Sequence, residues 1–260
     1  MMKNLYIFWL LYFWTTGVIS AQSRFNSGWD ERDGDTFIGV NLSTSRYNGD
    51  LSERYNFKHL QLSWGIEGNI RHRFTDRWSV SGQAGAYHLR ADQRFTKNAA
   101  NALTFATTNF STNLRAEWDM LSVDGNQRNV VYLFFGIGAT KLSPTTTLNS
   151  DTYSLPDFQT EGNKYNLWAG QVSYGVGFPM VLSESFLLRI EGRYTHVLSD
   201  YLDDVSDRYS NKTGATDLEK QLADKRIAEN LPPNPVGEVR GNPLKNDGYF
   251  LFTLQLLYKL

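Results

Sequence analysis

The chain has 260 residues, with 26 Lys and Arg against 27 Asp and Glu and no Cys, for a formal charge of -1. Without Cys there is no disulfide scaffold, thiolate metal centre, thiol nucleophile or Cys-linked lipid, and the balanced charge argues against a nucleic-acid binder, whose phosphate contacts need surplus Lys and Arg. An aromatic content of 14% beside a mean hydropathy of -0.43 suits a chain that hides large apolar groups by alternating them with polar ones.

Residues 1–21 open with the basic Lys3, continue through the apolar run Leu5 to Trp14 and end on the small pair Ser20-Ala21. That order is a secretory signal peptide, and the run is shorter than the ~20 residues a spanning helix needs. Cleavage after Ala21 removes Lys3 and takes the formal charge from -1 to -2. Residues 22–35 are polar and unpatterned and read as a flexible periplasmic leading segment.

From residue 36 to 260 a period of two takes over. Segments 36–47, 78–89, 130–140 and 166–178 follow it loosely. Four others follow it cleanly: Leu60, Leu62, Trp64, Ile66 and Ile70; Phe110, Leu114, Trp118 and Met120; Phe186, Leu188, Ile190 and Tyr194; and Phe250 through Leu260, each alternating with polar or smaller residues. Strands of about 11 to 15 residues exceed the soluble mean and are long enough for a tilted membrane strand. The connections alternate too. Those near 73–77, 122–129 and 179–185 are short, whereas those near 48–58, 90–103, 141–165 and 199–248 are long. The pattern predicts an all-β, eight-stranded antiparallel up-and-down transmembrane β-barrel, with short periplasmic turns, long extracellular loops and both termini in the periplasm of a Gram-negative envelope. In the last loop, 217–229 carries Leu218, Leu222 and Ile227 among opposite charges and predicts a short helix, ended by Pro232-Pro233.

With apolar faces toward lipid, Glu67, Arg71, Arg115, Glu117, Asp119, Arg189, Glu191 and Arg193 point into the lumen. Eight strands leave a bore that side chains fill, so these opposite charges are expected to pair and plug it. Trp64, Trp78, Trp118, Trp168, Tyr174 and Tyr194 suit the lipid boundary. For catalysis the best material is His88 and His196, near the loop ends of strands three and seven, but neither a Gly-x-Ser-x-Gly nor a His-x-x-x-His pattern accompanies them. Asp200, Asp203, Asp204 and Asp207 could hold calcium but lack EF-hand spacing, and a solvated acidic loop is the favoured reading. No catalytic residue, cofactor or metal is assigned, and outer-membrane lipids are the expected surroundings.

Several stretches resemble a known group: Gly39 to Leu42 leading to Tyr47-Asn48-Gly49-Asp50-Leu51, Val131 to Gly138, Tyr201-Leu202-Asp203-Asp204-Val205-Ser206, Gly241-Asn242-Pro243, and Asn246-Asp247-Gly248-Tyr249-Phe250. They are similar to the PorG-type outer-membrane barrels of Bacteroidota, most specifically at the Tyr201 to Ser206 and Asn246 to Phe250 stretches. The resemblance implies an eight-stranded barrel and, for the PorG member, a component of the type IX secretion machinery that contacts a periplasmic ring of subunits. It supplies no catalytic residues. A ring contact would use the periplasmic parts, where Arg73, Arg77 and Arg128 make the turns basic. The rival expectation is a small surface barrel that binds ligands or cells through its loops.

Overall fold

The alternation read from the sequence becomes a closed wall. The computed structural model describes residues 31–53, 59–121, 130–210 and 214–260. The expected signal peptide at residues 1–21, residues 22–30 of the leading segment and the turn 122–129, including Arg128, lie outside the described residues. Among those described, the wall strands are β1 (Thr36–Asn48), β2 (Ser63–Arg73), β3 (Trp78–Asp92), β4 (Thr104–Asp119), β5 (Tyr132–Lys141), β8 (Trp168–Val181), β9 (Phe186–Val197) and β10 (Gly248–Lys259). Each pairs antiparallel with the strand before and after it in this order, and β10 returns to pair with β1, from Phe37 opposite Lys259 to Asn48 opposite Gly248. Closure satisfies every edge, which a sheet within hydrocarbon requires.

Burial is inverted relative to a water-soluble protein. Leu42 is 58% and Ile137 59% exposed on the outside, whereas Arg115, Arg189 and Glu191 are each 1% exposed within. No aqueous fold gains by that exchange; a barrel in lipid does. The expected transmembrane barrel is therefore the observed one. On β3 the outward positions are Trp78, Val80, Gly82, Ala84 and Ala86, and on β5 they are Leu133, Phe135 and Ile137.

The loops hold structure that periodicity did not reveal. Between β5 and β8, a hairpin of β6 (Pro144–Leu148) and β7 (Asp151–Ser154) continues the wall upward, with Thr145 opposite Ala106 of β4, and is followed by the single turn α1 (Leu155–Phe158). In the last loop the helix α2 (Asp217–Ala223) starts at a capping box in which Thr216 and Glu219 satisfy each other's backbone N–H groups. It stops well before residue 229. Asp224 leaves the helical region at φ -135°, and its carboxylate accepts from the N–H groups of Arg226 at 3.1 Å and Asn234 at 2.6 Å, binding the chain into a turn instead.

The interior is layered. Nearest the short turns, Phe37, Leu187 and Leu257 form a small apolar floor. Charged and amide side chains fill the middle. Above them Tyr47, Tyr87, Leu89, Phe105, Leu142 and Tyr249 pack with Leu202 and Val205 of the last loop, which covers the end opposite the short turns.

Candidate functional site

Glu117, near the lower end of β4, is the centre of the lumen network. Its carboxylate takes Arg189 at 2.6 Å, Arg115 at 2.7 Å and Arg71 at 3.1 Å, and the Ser81 hydroxyl donates to it at 2.6 Å. Glu191 accepts two bonds from Arg115, at 2.8 and 3.0 Å, and one from Tyr132 at 2.6 Å. Higher in the bore, Arg193 bridges Glu67 at 2.7 Å and Gln83 at 2.6 Å. The guanidinium of Arg189 lies 3.8 Å over the ring of Tyr132, and that of Arg115 4.2 Å over Phe134. Those stacks let a planar cation be stripped of water on its faces while its edge bonds carboxylates.

The structure thus brings together all eight residues expected in the lumen, and it adds two more. Arg73, expected as a surface contact of the first turn, is instead 2% exposed: it ends β2 facing the bore and pairs with Asp119 at 2.5 Å and Glu31 at 2.5 Å. Glu31 also takes Arg71 at 2.6 Å. Burial pushes its carboxyl up, but Arg71 and Arg73 outweigh that and hold it at about 2. Residues 31–35 are therefore not a free leading segment but the lower closure of the barrel, fixed further by Gly34 N–H to Arg73 O at 2.8 Å and Lys259 to Asp35 at 2.5 Å. Arg71, Arg73, Arg115, Arg189 and Arg193 face Glu31, Glu67, Glu117, Asp119 and Glu191, five cations against five anions. Arg77 is exposed in its turn.

The conspicuous stretches in the sequence converge at the upper end. The Tyr47 hydroxyl lies 2.5 Å from Asp203 and 2.9 Å from Asp247, and Asp247 accepts the Leu202 N–H at 3.2 Å. One phenol proton cannot serve two carboxylates, so this geometry calls for a shared extra proton. Burial, then the neighbouring Asp247, drives the Asp203 carboxyl well above its usual range; burial, then Asp200, does the same to Asp247. Gly49 passes so close that a Cβ there would lie 1.8 Å from Asp247 Oδ1. Asp50 accepts the Asn242 N–H at 2.6 Å, and Gly248 and Tyr249 begin β10 beside the node, with Tyr249 stacked on Tyr87 at 4.4 Å. Asp204 accepts from Thr160 at 2.5 Å and Tyr165 at 2.7 Å. Arg240 bonds Glu161 at 2.8 Å and the Asp204 carbonyl at 2.5 Å. The acidic run is accordingly no solvated loop: Asp203 and Asp204 are buried, Tyr201 stacks on Tyr165 at 4.2 Å, and Asp207 alone of the four is exposed. Burial of these acids needed hydroxyls and N–H groups from distant loops, which no local pattern announces. Among the described residues no group of three acids or histidines could hold a metal ion.

His88 and His196 do not meet. They stand on β3 and β9, on opposite sides of the closed sheet, and both face outward: His88 bonds Thr108 at 2.9 Å, and His196 bonds the Tyr174 hydroxyl at 3.1 Å. Trp64, Trp78, Trp168 and Tyr174 are exposed on the wall.

No family model matches the chain, and no curated protein matches it. Among solved structures it is similar to the outer membrane protein OprG from Pseudomonas aeruginosa, at 12% identity over 90% of this chain and 98% of that one, with a TM-score of 0.47. Neisserial surface protein A is similar at 10% identity over 86% and 97% of the two chains, TM-score 0.44. The attachment invasion locus protein Ail of Yersinia pestis is similar at 13% identity over 88% and 99%, TM-score 0.42.

Proposed function

We propose that the chain is a non-enzymatic, non-conducting outer-membrane barrel that anchors a protein assembly, with the short turns and both barrel termini in the periplasm and the folded cap outside. The observation that carries this reading is the Arg115–Glu117–Arg189–Glu191 network, which fills the bore with paired ions. A conducting barrel needs a wet, open lumen; here solvent would have to replace bonds that offset the desolvation of ten charges. A bore filled in this way leaves the two ends of the barrel for work. In its finer form, drawn from the PorG resemblance, the assembly is the type IX secretion complex and the partners are periplasmic ring subunits. Arg77, exposed on its turn, belongs to the contact in that reading, and Arg128 joins it from the sequence.

Deleting the gene tests the assignment. Cargo bearing the secretion system's carboxy-terminal signal should accumulate in the periplasm; normal arrival at the surface overturns it. Purified barrel in a planar bilayer should show no stepwise conductance. A second reading, a surface barrel that binds ligands or cells through its loops, is favoured by the hydrogen-bonded cap around Asp204 and Arg240. Intact cargo export together with lost attachment of the deletion strain would select it.

A further inference from the structure

On the outer wall near the cap, Arg46 of β1, Phe250 of β10, Tyr194 of β9 and Tyr174 of β8 stand directly opposite one another across four neighbouring strands. The next row up is Asn48, Gly248 and His196. Its middle position has no side chain, and the gap is used: a Cβ on Gly248 would lie 2.6 Å from the Tyr194 hydroxyl, which crosses the strand to accept from Asn48 Nδ2 at 2.7 Å. The two rows enclose an open hollow of about 400 Å³ lined by Arg46, Asn48, Tyr174, Tyr194, His196 and Phe250.

The chemistry of this lining is one-sided. Among the described residues it contains a guanidinium, an amide, two phenols and an imidazole, and no carboxylate. The Arg46 guanidinium is steadied by the Glu53 carbonyl at 3.1 Å and carries a fixed positive charge. The Tyr194 oxygen accepts from Asn48, which leaves its own proton for an outside acceptor. Directly below, Phe252 and Leu254 are exposed on the face that meets hydrocarbon. A group that places several anionic oxygens in the hollow while laying alkyl chains along the wall satisfies both halves.

We infer that this hollow binds the phosphate of an anionic membrane lipid, with Arg46 and Tyr194 donating to the phosphate oxygens and the acyl chains lying against Phe250, Phe252 and Leu254. Charge-assisted bonds from a guanidinium to phosphate are the strong kind, and here they form at the edge of the hydrocarbon, where water competes less. The cluster is thus a ligand site built on the tyrosine belt, beyond the general headgroup affinity of aromatic rings.

Purified full-length barrel in detergent, incubated with phosphatidic acid, phosphatidylcholine or inorganic phosphate, tests this by native mass spectrometry. Wild type should retain phosphatidic acid and release the other two. Arg46→Gln should lower the retained fraction by about tenfold and Tyr194→Phe by severalfold. Lys141→Gln, which removes an outward cation at the same rim on β5, should change nothing. Each variant must keep the heat-dependent gel shift of a closed barrel, so a folding defect is read separately. Equal retention by Arg46→Gln and wild type, equal loss in Lys141→Gln, or retention of phosphatidylcholine or inorganic phosphate as strong as that of phosphatidic acid would each overturn the site.

Discussion

Glu117 on β4 and Arg189 on β9 meet across the bore at 2.6 Å, and Arg189 has no second carboxylate as near, because it reaches Glu191 only at 3.8 Å. Glu117 answers to three arginines, so removing its charge leaves a local excess of cations without water to solvate them. Glu117→Gln should cost about 3–5 kcal/mol, the range for breaking a buried ion pair. Arg189→Met should cost a similar amount alone, while the double variant should recover part of the sum, since neither partner is then left bare. Urea unfolding of the refolded barrel in detergent measures all three; strict additivity would mean that the two residues do not act as a pair.

The membrane wall was legible because lipid enforces a strict period of two: Phe250 through Leu260 could alternate in only one way once one face had to be oily. The same logic reached Glu117, Arg115 and Arg189. It failed at Arg73, whose partner Glu31 lies in a segment without any period. It also failed at the acidic run of the last loop. Asp203 is buried by Tyr47, 156 positions earlier, and Asp204 by Tyr165, 39 positions earlier, so its neighbours in sequence carry no sign of its surroundings. The hairpin of β6 and β7 is threonine-rich and packs on the rim rather than in lipid, so no oily alternation marks it.

The cap should loosen as pH rises. A carboxyl whose folded-state pKa is raised stabilises the fold fully below its unfolded value of about 4 and ceases to do so as pH climbs through the raised value. Asp203 and Asp247 are of this kind, and burial pushes nearby Asp200 to about 7, with Asp50 and Glu161 adding to it and Lys245 opposing. Cleavage of the last loop by a non-specific protease should therefore be slower at pH 5 than at pH 8.5, with the barrel itself resistant at both. Asp203→Asn should flatten that difference, because the shared proton is replaced by a neutral amide. A loop cut equally fast at both values would show that the node does not hold the cap.

The lower mouth should respond in the opposite sense. Glu31 is held near 2 rather than its ordinary 4.5, so its contribution, about 3 kcal/mol, is present above the ordinary value and lost as pH falls toward 2. Wild type and Glu31→Gln should differ in denaturation midpoint at pH 6 and converge near pH 2. The comparison between the two chains cancels every other carboxylate that titrates in that window. Equal midpoints at pH 6 would mean that Arg71 and Arg73 are satisfied without it.

Gly49→Ala isolates the cap from the wall. A methyl at this position would lie 1.8 Å from Asp247 Oδ1 and 2.0 Å from the Tyr47 hydroxyl, and both atoms are committed to the carboxyl–phenol node. Something must move, at a cost of roughly 1–3 kcal/mol for an overpacked buried site. The strain falls on the contact between the last loop and β1, not on the ladder between β1 and β10, so the unboiled protein should still migrate as a closed barrel. Proteolysis of the last loop should become several times faster. Gly82→Ala is the matched control, since a Cβ there meets nothing within 4 Å and points to lipid. It should leave both the gel shift and the cleavage rate as they are, and equal sensitivity of the two variants would place the effect in strand propensity instead of in the node.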